Sequence, residues 1–186
     1  VNFNGPRDAI NSGIGFVTED RKDEGLILDM PIAANVTLAN MDRVSTRGLL
    51  RFSREKQLAQ DGGKRLKLKY GKTSDPASSL SGGNQQKVVL ANWLARNPKV
   101  LILDEPTRGV DVGAKAEIYA ILKGLAKDGI ALLIVSSEMP ELMTLSDRIL
   151  VLADHQIRGS LERKDFSEEN ILKLAYGQNT IAGEPL

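Results

Sequence analysis

The sequence predicts an α/β fold, a mostly parallel sheet flanked by helices, on three observations. Two short apolar runs, Val100 to Leu103 and Ile130 to Val135, have the make-up of strands buried on both faces. Each follows a segment of helical periodicity, the order expected of strand–helix–strand crossovers. An earlier short strand, Gly13 to Thr18, is separated from them by a long stretch in which apolar residues recur at helical spacing.

Taken in order, Pro6 to Ser12 suits a short helix, with Pro6 at its first position and Asp8 near its positive end. Gly13 to Thr18 ends in the charged run Glu19-Asp20-Arg21-Lys22. After Pro31, the positions of Ile32, Val36 and Ala39, with Leu38 beside them, predict a helix. Ser53 is placed to cap another, running through Leu58, Leu66 and Leu68 and weakened or interrupted at Gly62-Gly63. Leu80 to Arg96 is a helix opened by Ser81-Gly82-Gly83, whose free N–H groups and positive dipole end can face an anion. Asn97-Pro98 closes it, because a residue before proline is pushed out of the α region. Val100 to Leu103 then delivers Asp104 and Glu105 at a strand's carboxyl end, where open α/β sheets place their ligand chemistry. Asp111 caps a helix carrying Ile118, Ile121, Leu122 and Leu125 on one face, and Asp128-Gly129 stops it. Strands Arg148 to Leu152 and Ile157 to Leu161 are joined by a turn holding His155, the single histidine. Ser167 caps a last helix through Ile171, Leu174 and Ala175, ending near Gly177, and residues 178–186 are expected to fray.

The totals narrow the function. The 186 residues carry 25 Lys plus Arg against 24 Asp plus Glu, so no strong net field draws nucleic acid or anionic lipid. With no cysteine, disulfides and thiolate metal sites are excluded. No run approaches the roughly 20 apolar residues that span a bilayer, and no basic, apolar leader opens the sequence. The expectation is a cytoplasmic protein whose membrane role, if any, comes through a partner.

The motifs name a family. Leu80-Ser81-Gly82-Gly83-Asn84 resembles the signature of ABC-type ATPases, Leu101-Ile102-Leu103-Asp104-Glu105-Pro106 their Walker B motif, and Gly109-Val110-Asp111 their D-loop. The Asn84 variant, followed by Gln85-Gln86-Lys87 and later by Thr107-Arg108, is most similar to the second ATPase half of bacterial monosaccharide importers, ribose-type importers above all. The resemblance runs from about Pro6 to Gly177. It implies a partial P-loop NTPase-like ABC ATPase domain with an α-helical subdomain. Residues 1–22 would hold the Q-loop strand, 23–96 the helical subdomain with the signature helix, 97–177 the core with Walker B, D-loop and switch region, and 178–186 a tail.

What the resemblance implies about the site follows residue by residue. The cofactors are ATP and Mg2+. Asp104 belongs to the metal shell, and Glu105 is the general base, a role typically worth about 10²–10⁴ in rate. Ser81, Gly82, Gly83, Asn84, Gln85 and Asp111 meet the nucleotide, the signature reaching across a dimer interface to the γ-phosphate bound by the opposite half. Glu19 stands where the family has the Q-loop glutamine, and a carboxylate there can still bind Mg2+. Ser137 stands where the family has its switch histidine, and a hydroxyl donates a hydrogen bond but does not titrate near neutrality. These two departures imply unequal composite sites, the one lining this half's Walker B being the slower. The partners implied are a membrane permease received between Glu19 and about Met41, the N-terminal ATPase half, and indirectly a periplasmic sugar-binding protein. The protein would sit peripherally on the inner face of the bacterial plasma membrane, and no nucleic acid is expected.

One family motif is missing. The nearest approach to a Gly-x-x-x-x-Gly-Lys-Ser/Thr phosphate cradle is Gly63-Lys64-Arg65, with Leu58 in place of the first glycine and Arg65 in place of the hydroxyl. It lies in the helical region and is rejected. The sequence therefore reads as a fragment lacking its Walker A, with no ATPase activity alone and a tendency to self-associate through uncovered sheet. Competing readings are a soluble ABC ATPase of translation or DNA repair, which usually carries basic extensions, and an inert interaction module.

Overall fold

The computed structural model describes residues 2–177. Helix α1 (Pro6–Asn11) leads into β1 (Ile14–Val17) and a π-helical turn (Arg21–Gly25). Helices α2 (Ile32–Thr37) and α3 (Met41–Val44), the two-residue strands β2 (Ser45–Thr46) and β3 (Leu49–Leu50), and helices α4 (Phe52–Arg65) and α5 (Gly82–Leu94) follow. Then come β4 (Val100–Asp104), α6 (Val112–Lys127) and β5 (Ala131–Val135). All belong to one compact unit, Val1–Val135, and Ser136–Leu186 forms a second.

In the first unit the three long strands form a parallel sheet in the order β1-β4-β5. Phe16, Ile102 and Leu133 lie in one row of the register. Successive side chains alternate between faces, and the two faces differ. On one, Val17, Leu101 and Leu103 are fully buried, and α5 packs close to them. A Cβ on Gly15 would lie 2.8 Å from Leu101 Cδ1 and 3.4 Å from Trp93 Cβ, so Trp93 rests on bare strand. On the other face Phe16, Leu133 and Val135 stay 43%, 52% and 52% exposed. The expectation that Ile130 to Val135 is buried on both faces is thus corrected: Leu133 and Val135 are half exposed, and among the described strands β5 pairs only with β4.

The helices that fill the long interval are set by buried polar side chains as much as by apolar ones. Asn35, 1% exposed, accepts from the Ile27 N–H at 2.8 Å and donates to the carbonyls of Ile27, Met30 and Pro31. That pins the loop before α2 onto the helix itself. Asn40 donates to the Asn92 carbonyl at 2.7 Å, while Asn92 Oδ1 accepts from the Ala39 N–H, tying the end of α2 to α5. Two expectations for α4 are corrected. Ser53 does not cap it: Arg51 holds that position without a side-chain cap bond, and Arg54 and Glu55 N–H groups turn to the Arg51 carbonyl. Gly62 and Gly63 do not interrupt the helix, which ends at Arg65, before Leu68. They let neighbours approach, since a Cβ on Gly62 would meet Ala91 Cβ at 3.2 Å and one on Gly63 would meet Tyr70 at 3.1 Å. The β2–β3 hairpin, unexpected from sequence, turns on Arg47 and Gly48, both at positive φ.

In the second unit α7 (Met139–Leu145) precedes an antiparallel hairpin, β6 (Arg148–Ala153) and β7 (Gln156–Glu162), and α8 (Glu168–Ala175) closes it. Asp154 and His155 both have positive φ, 49° and 60°, so His155 is in the expected turn. Ser167 Oγ accepts from the Asn170 N–H at 3.1 Å, the expected cap of α8. Ile149, Val151, Leu161, Ile171 and Leu174 form this unit's core. The frayed tail expected at 178–186 lies outside the described residues.

Candidate functional site

The apolar strand β4 ends at Asp104, and Glu105 follows in a left-handed conformation with φ 44°. For a residue with a Cβ this costs about 1–2 kcal/mol, so the surrounding bonds must hold it there. They do: its N–H donates to the Val135 carbonyl at 2.9 Å, and its carbonyl accepts from the Arg108 N–H at 3.0 Å. The chain then turns through buried Pro106 and Thr107 to Gly109, itself at φ 65°. Asp111 ends the turn as the cap of α6, its Oδ1 accepting from the Ala114 N–H at 2.9 Å.

Against this turn stands the start of α5. Ser81 is at the N-cap but does not cap it. Its Oγ instead accepts from Asn84 Nδ2 at 2.9 Å, while Asn84 Oδ1 accepts from the Lys69 N–H. The N–H groups of the first turn are left without that side chain, as an anion-binding helix start requires. Gln85 is buried and donates to the Ala77 carbonyl at 3.4 Å, so its side chain points into the subdomain. The glycines answer to two close approaches. A Cβ on Gly82 would lie 2.9 Å from Arg21 Nη2 and 3.0 Å from the Gly109 carbonyl oxygen, and one on Gly83 would lie 2.5 Å from Ala114 Cβ.

The residue that joins these pieces is one the sequence reading left in a charged run. Arg21, 8% exposed, donates from Nη1 to the Arg108 carbonyl at 2.5 Å and from Nη2 to the Gly109 carbonyl at 3.0 Å. Asp20 caps the turn that carries it, accepting from the Lys22 and Asp23 N–H groups. Burial pushes the guanidinium down from its ordinary pKa, against the opposing charge of Asp20. Among the described residues Arg21 Nε and Thr18 Oγ1 are buried without a hydrogen-bond partner. The signal in the sequence was a charge followed, after a long gap, by a Gly-rich turn, and no local pattern reports such a pair.

Glu19 makes an ion pair with Arg108, so a cation at this carboxylate would compete with that guanidinium. Ser137 lies in the second unit, in the segment leading to α7, where Ser136 Oγ accepts from the Glu138 N–H. The structure therefore groups Glu19, Ser81, Gly82, Gly83, Asn84, Asp104, Glu105 and Asp111 within one unit, and Ser137 in the other. Among the described residues no three metal-type side chains converge. Mg2+ is typically held by one or two carboxylates together with substrate phosphates. Asp104, a hard oxygen donor at the end of β4, fits such a role.

A family model described as ABC transporter matches residues 6–108. The "Ribose import ATP-binding protein RbsA" of Halalkalibacterium halodurans is 51% identical over 173 residues, covering 93% of this chain and 35% of its own length. A protein of the same name in Bacillus subtilis is 48% identical over 172 residues, 92% of this chain and 35% of its own. The chain thus spans about a third of the length of the curated relatives it matches. Among solved structures, the ATP-binding cassette MJ0796, in a dimeric post-hydrolysis state bound to ADP and Pi, aligns with TM-score 0.69 and 25% identity over 88% of this chain and 70% of that one. The cassette MJ1267 shares the fold with TM-score 0.75 at 20% identity, over 92% of this chain and 71% of that one. In the described residues no helix is long and apolar enough to cross a membrane.

Proposed function

The chain belongs to the ABC transporter family, and on that premise we propose that it is part of an ATP-hydrolysing subunit that drives sugar import, of the ribose type, through a membrane permease. It corresponds to the second of two ATPase halves. The single observation that carries the reading is the start of α5. Its first turn is uncapped by Ser81 and is packed against the Gly109 turn and α6 with no room for a side chain on Gly82 or Gly83.

Magnesium and ATP bring the electrophilic phosphorus and most of the charge neutralisation that phosphoryl transfer needs. The chain's own residues bind, orient and move a proton. Asp104 would hold the metal, and Glu19, here paired with Arg108, would offer a second carboxylate. Glu105, fixed by its backbone bonds to Val135 and Arg108, accepts a proton from the attacking water. Ser81, Gly82, Gly83 and Asn84 present donors to the phosphate held by the partner half, and Gln85 supports them from behind through Ala77. Asp111 sets the start of α6, and Ser137 supplies one hydrogen bond where the family has a histidine. The permease meets the segment from Glu19 to about Met41, which places the assembly at the inner membrane face.

The near-match Gly63-Lys64-Arg65 forms the end of α4 and not a phosphate cradle, and no ATP hydrolysis is expected from this chain alone. The test is Glu105→Gln in the full-length protein assembled with its permease. Turnover at the site lining this Walker B is expected to fall about 10²-fold or more in single-turnover hydrolysis. Unchanged turnover refutes the role of Glu105. A loss as complete as that from the matching change in the first half refutes the inequality of the two sites.

A further inference from the structure

Apart from the carboxylate pair stand the cleft between α4 and α6, the half-exposed sheet face, and the buried charge of Arg21. The cleft, about 550 Å3, carries Arg65, Lys69 and Lys87, but Asp128 and Glu117 already pair with them. Arg21 is different: its buried guanidinium hydrogen-bonds to carbonyls and, among the described residues, makes no ion pair.

We infer that Arg21 is the positioning residue that holds the signature turn and the D-loop in register, and that its buried charge strengthens anion binding at the start of α5. The inference rests on the function proposed above. Its first support is geometric. One planar guanidinium spans two successive carbonyls, those of Arg108 and Gly109, while its Nη2 lies 2.9 Å from where a Cβ on Gly82 would be. A fork of fixed geometry is suited to fixing the turn after β1 against the D-loop turn, with Gly82 in close contact, and a lysine ammonium is not. The second support is electrostatic. Among the described residues no carboxylate makes an ion pair with Arg21, and its Nε has no partner at all. A buried cation outside an ion pair is costly, and groups of that kind gather where their field is used. Here the positive charge sits directly behind Gly82, adding to the dipole of a 13-residue helix. Thus the signature, which has no cationic side chain of its own at Ser81 to Asn84, borrows one from the turn after β1.

The placement also links two functions of one segment. Asp20 caps the turn carrying Arg21, and Glu19 pairs with Arg108 on the same D-loop turn. A shift of the segment from Glu19 to Gly25 therefore moves the Arg108 and Gly109 carbonyls with it. In the proposed assembly that segment lies at the start of the permease-facing surface.

The test uses the full-length protein with its permease and compares Arg21→Lys, Arg21→Met and Arg21→Ala. Loss of the positive group is expected to lower kcat about tenfold, a smaller loss than the about 10²-fold of a donor that touches the reacting oxygens. KM for ATP should stay within twofold, since the nucleotide is held mainly by the other half. Arg21→Lys should recover part of kcat, and added methylguanidinium should raise kcat of Arg21→Ala but not of Arg21→Met. A kcat within twofold of the parent in Arg21→Met, or a rise in KM that accounts for the loss, overturns the inference. So does equal loss in all three variants with no rescue, which marks a folding defect only. If the unsubstituted protein hydrolyses no ATP, the proposed function fails and not this inference alone.

Discussion

Gly83→Ala isolates the contact on which the site's geometry depends. The new Cβ would lie 2.5 Å from Ala114 Cβ, with Val110 Cγ1 at 3.7 Å. Methyl groups rest about 3.5–4.0 Å apart, so α5 and α6 must separate by about 1 Å. That movement is resisted, because Val88, Val89, Leu90 and Ala91 of α5 are all buried. Overpacking of this kind costs about 1–3 kcal/mol, and the gain in helix propensity returns at most about 1 kcal/mol, least of all in a first turn. The expected net destabilisation is about 1–2 kcal/mol. Gly124→Ala is the matched control, since a Cβ there meets nothing within 4 Å in the interior of α6. It should stabilise by about 0.5–1 kcal/mol. Urea unfolding of the 186-residue chain measures both, and adding Ala114→Gly to Gly83→Ala should recover most of the loss. If Gly83→Ala is neutral, or if the two alanines shift the midpoint in the same direction, the close approach of α5 and α6 is not what fixes this glycine.

Two further outcomes follow from buried polar groups. Asn35→Ala removes an acceptor from Ile27 N–H and donors to three carbonyls, and should destabilise by about 2–4 kcal/mol, read as a lower urea midpoint with unchanged slope. Glu117 is held below the ordinary carboxylate range first by its hydrogen bond from Lys87, 2.6 Å away, then by the charges of Lys87 and Lys69. Its folded pKa is depressed, so its contribution is present above the unfolded value near 4.5 and is lost as pH falls through the lower folded value. Thermal unfolding should show this loss in acid for the parent and a flatter acid limb for Glu117→Gln.

Local grammar made much of the chain legible. The caps at Asp111 and Ser167, the turn at Asp154-His155, and the strand delivering Asp104 all depend on residues within a few positions of one another. Their physical causes lie inside the window that a pattern can see. Arg21 could not be found that way, because its partners are 87 and 88 residues distant and because a charged run is ordinarily solvated. Lys87 was hidden for the same reason: at 2% exposure it is as buried as its apolar neighbours, made tolerable by Glu117 and the Lys67 carbonyl. Gly62-Gly63 misled in the opposite sense. The pair looks like a helix breaker, yet the close approach of Ala91 and Tyr70 accounts for it within an unbroken helix.

The half-exposed side of the sheet has a consequence for the site. By strand parity, Asp104 projects from the same side as Ile102, Phe16 and Leu133, in the next row on that face, opposite Val135. A surface that shields Phe16 and Leu133 from water would therefore also change the surroundings of Asp104, so that drying of the sheet and the setting of this carboxylate are coupled.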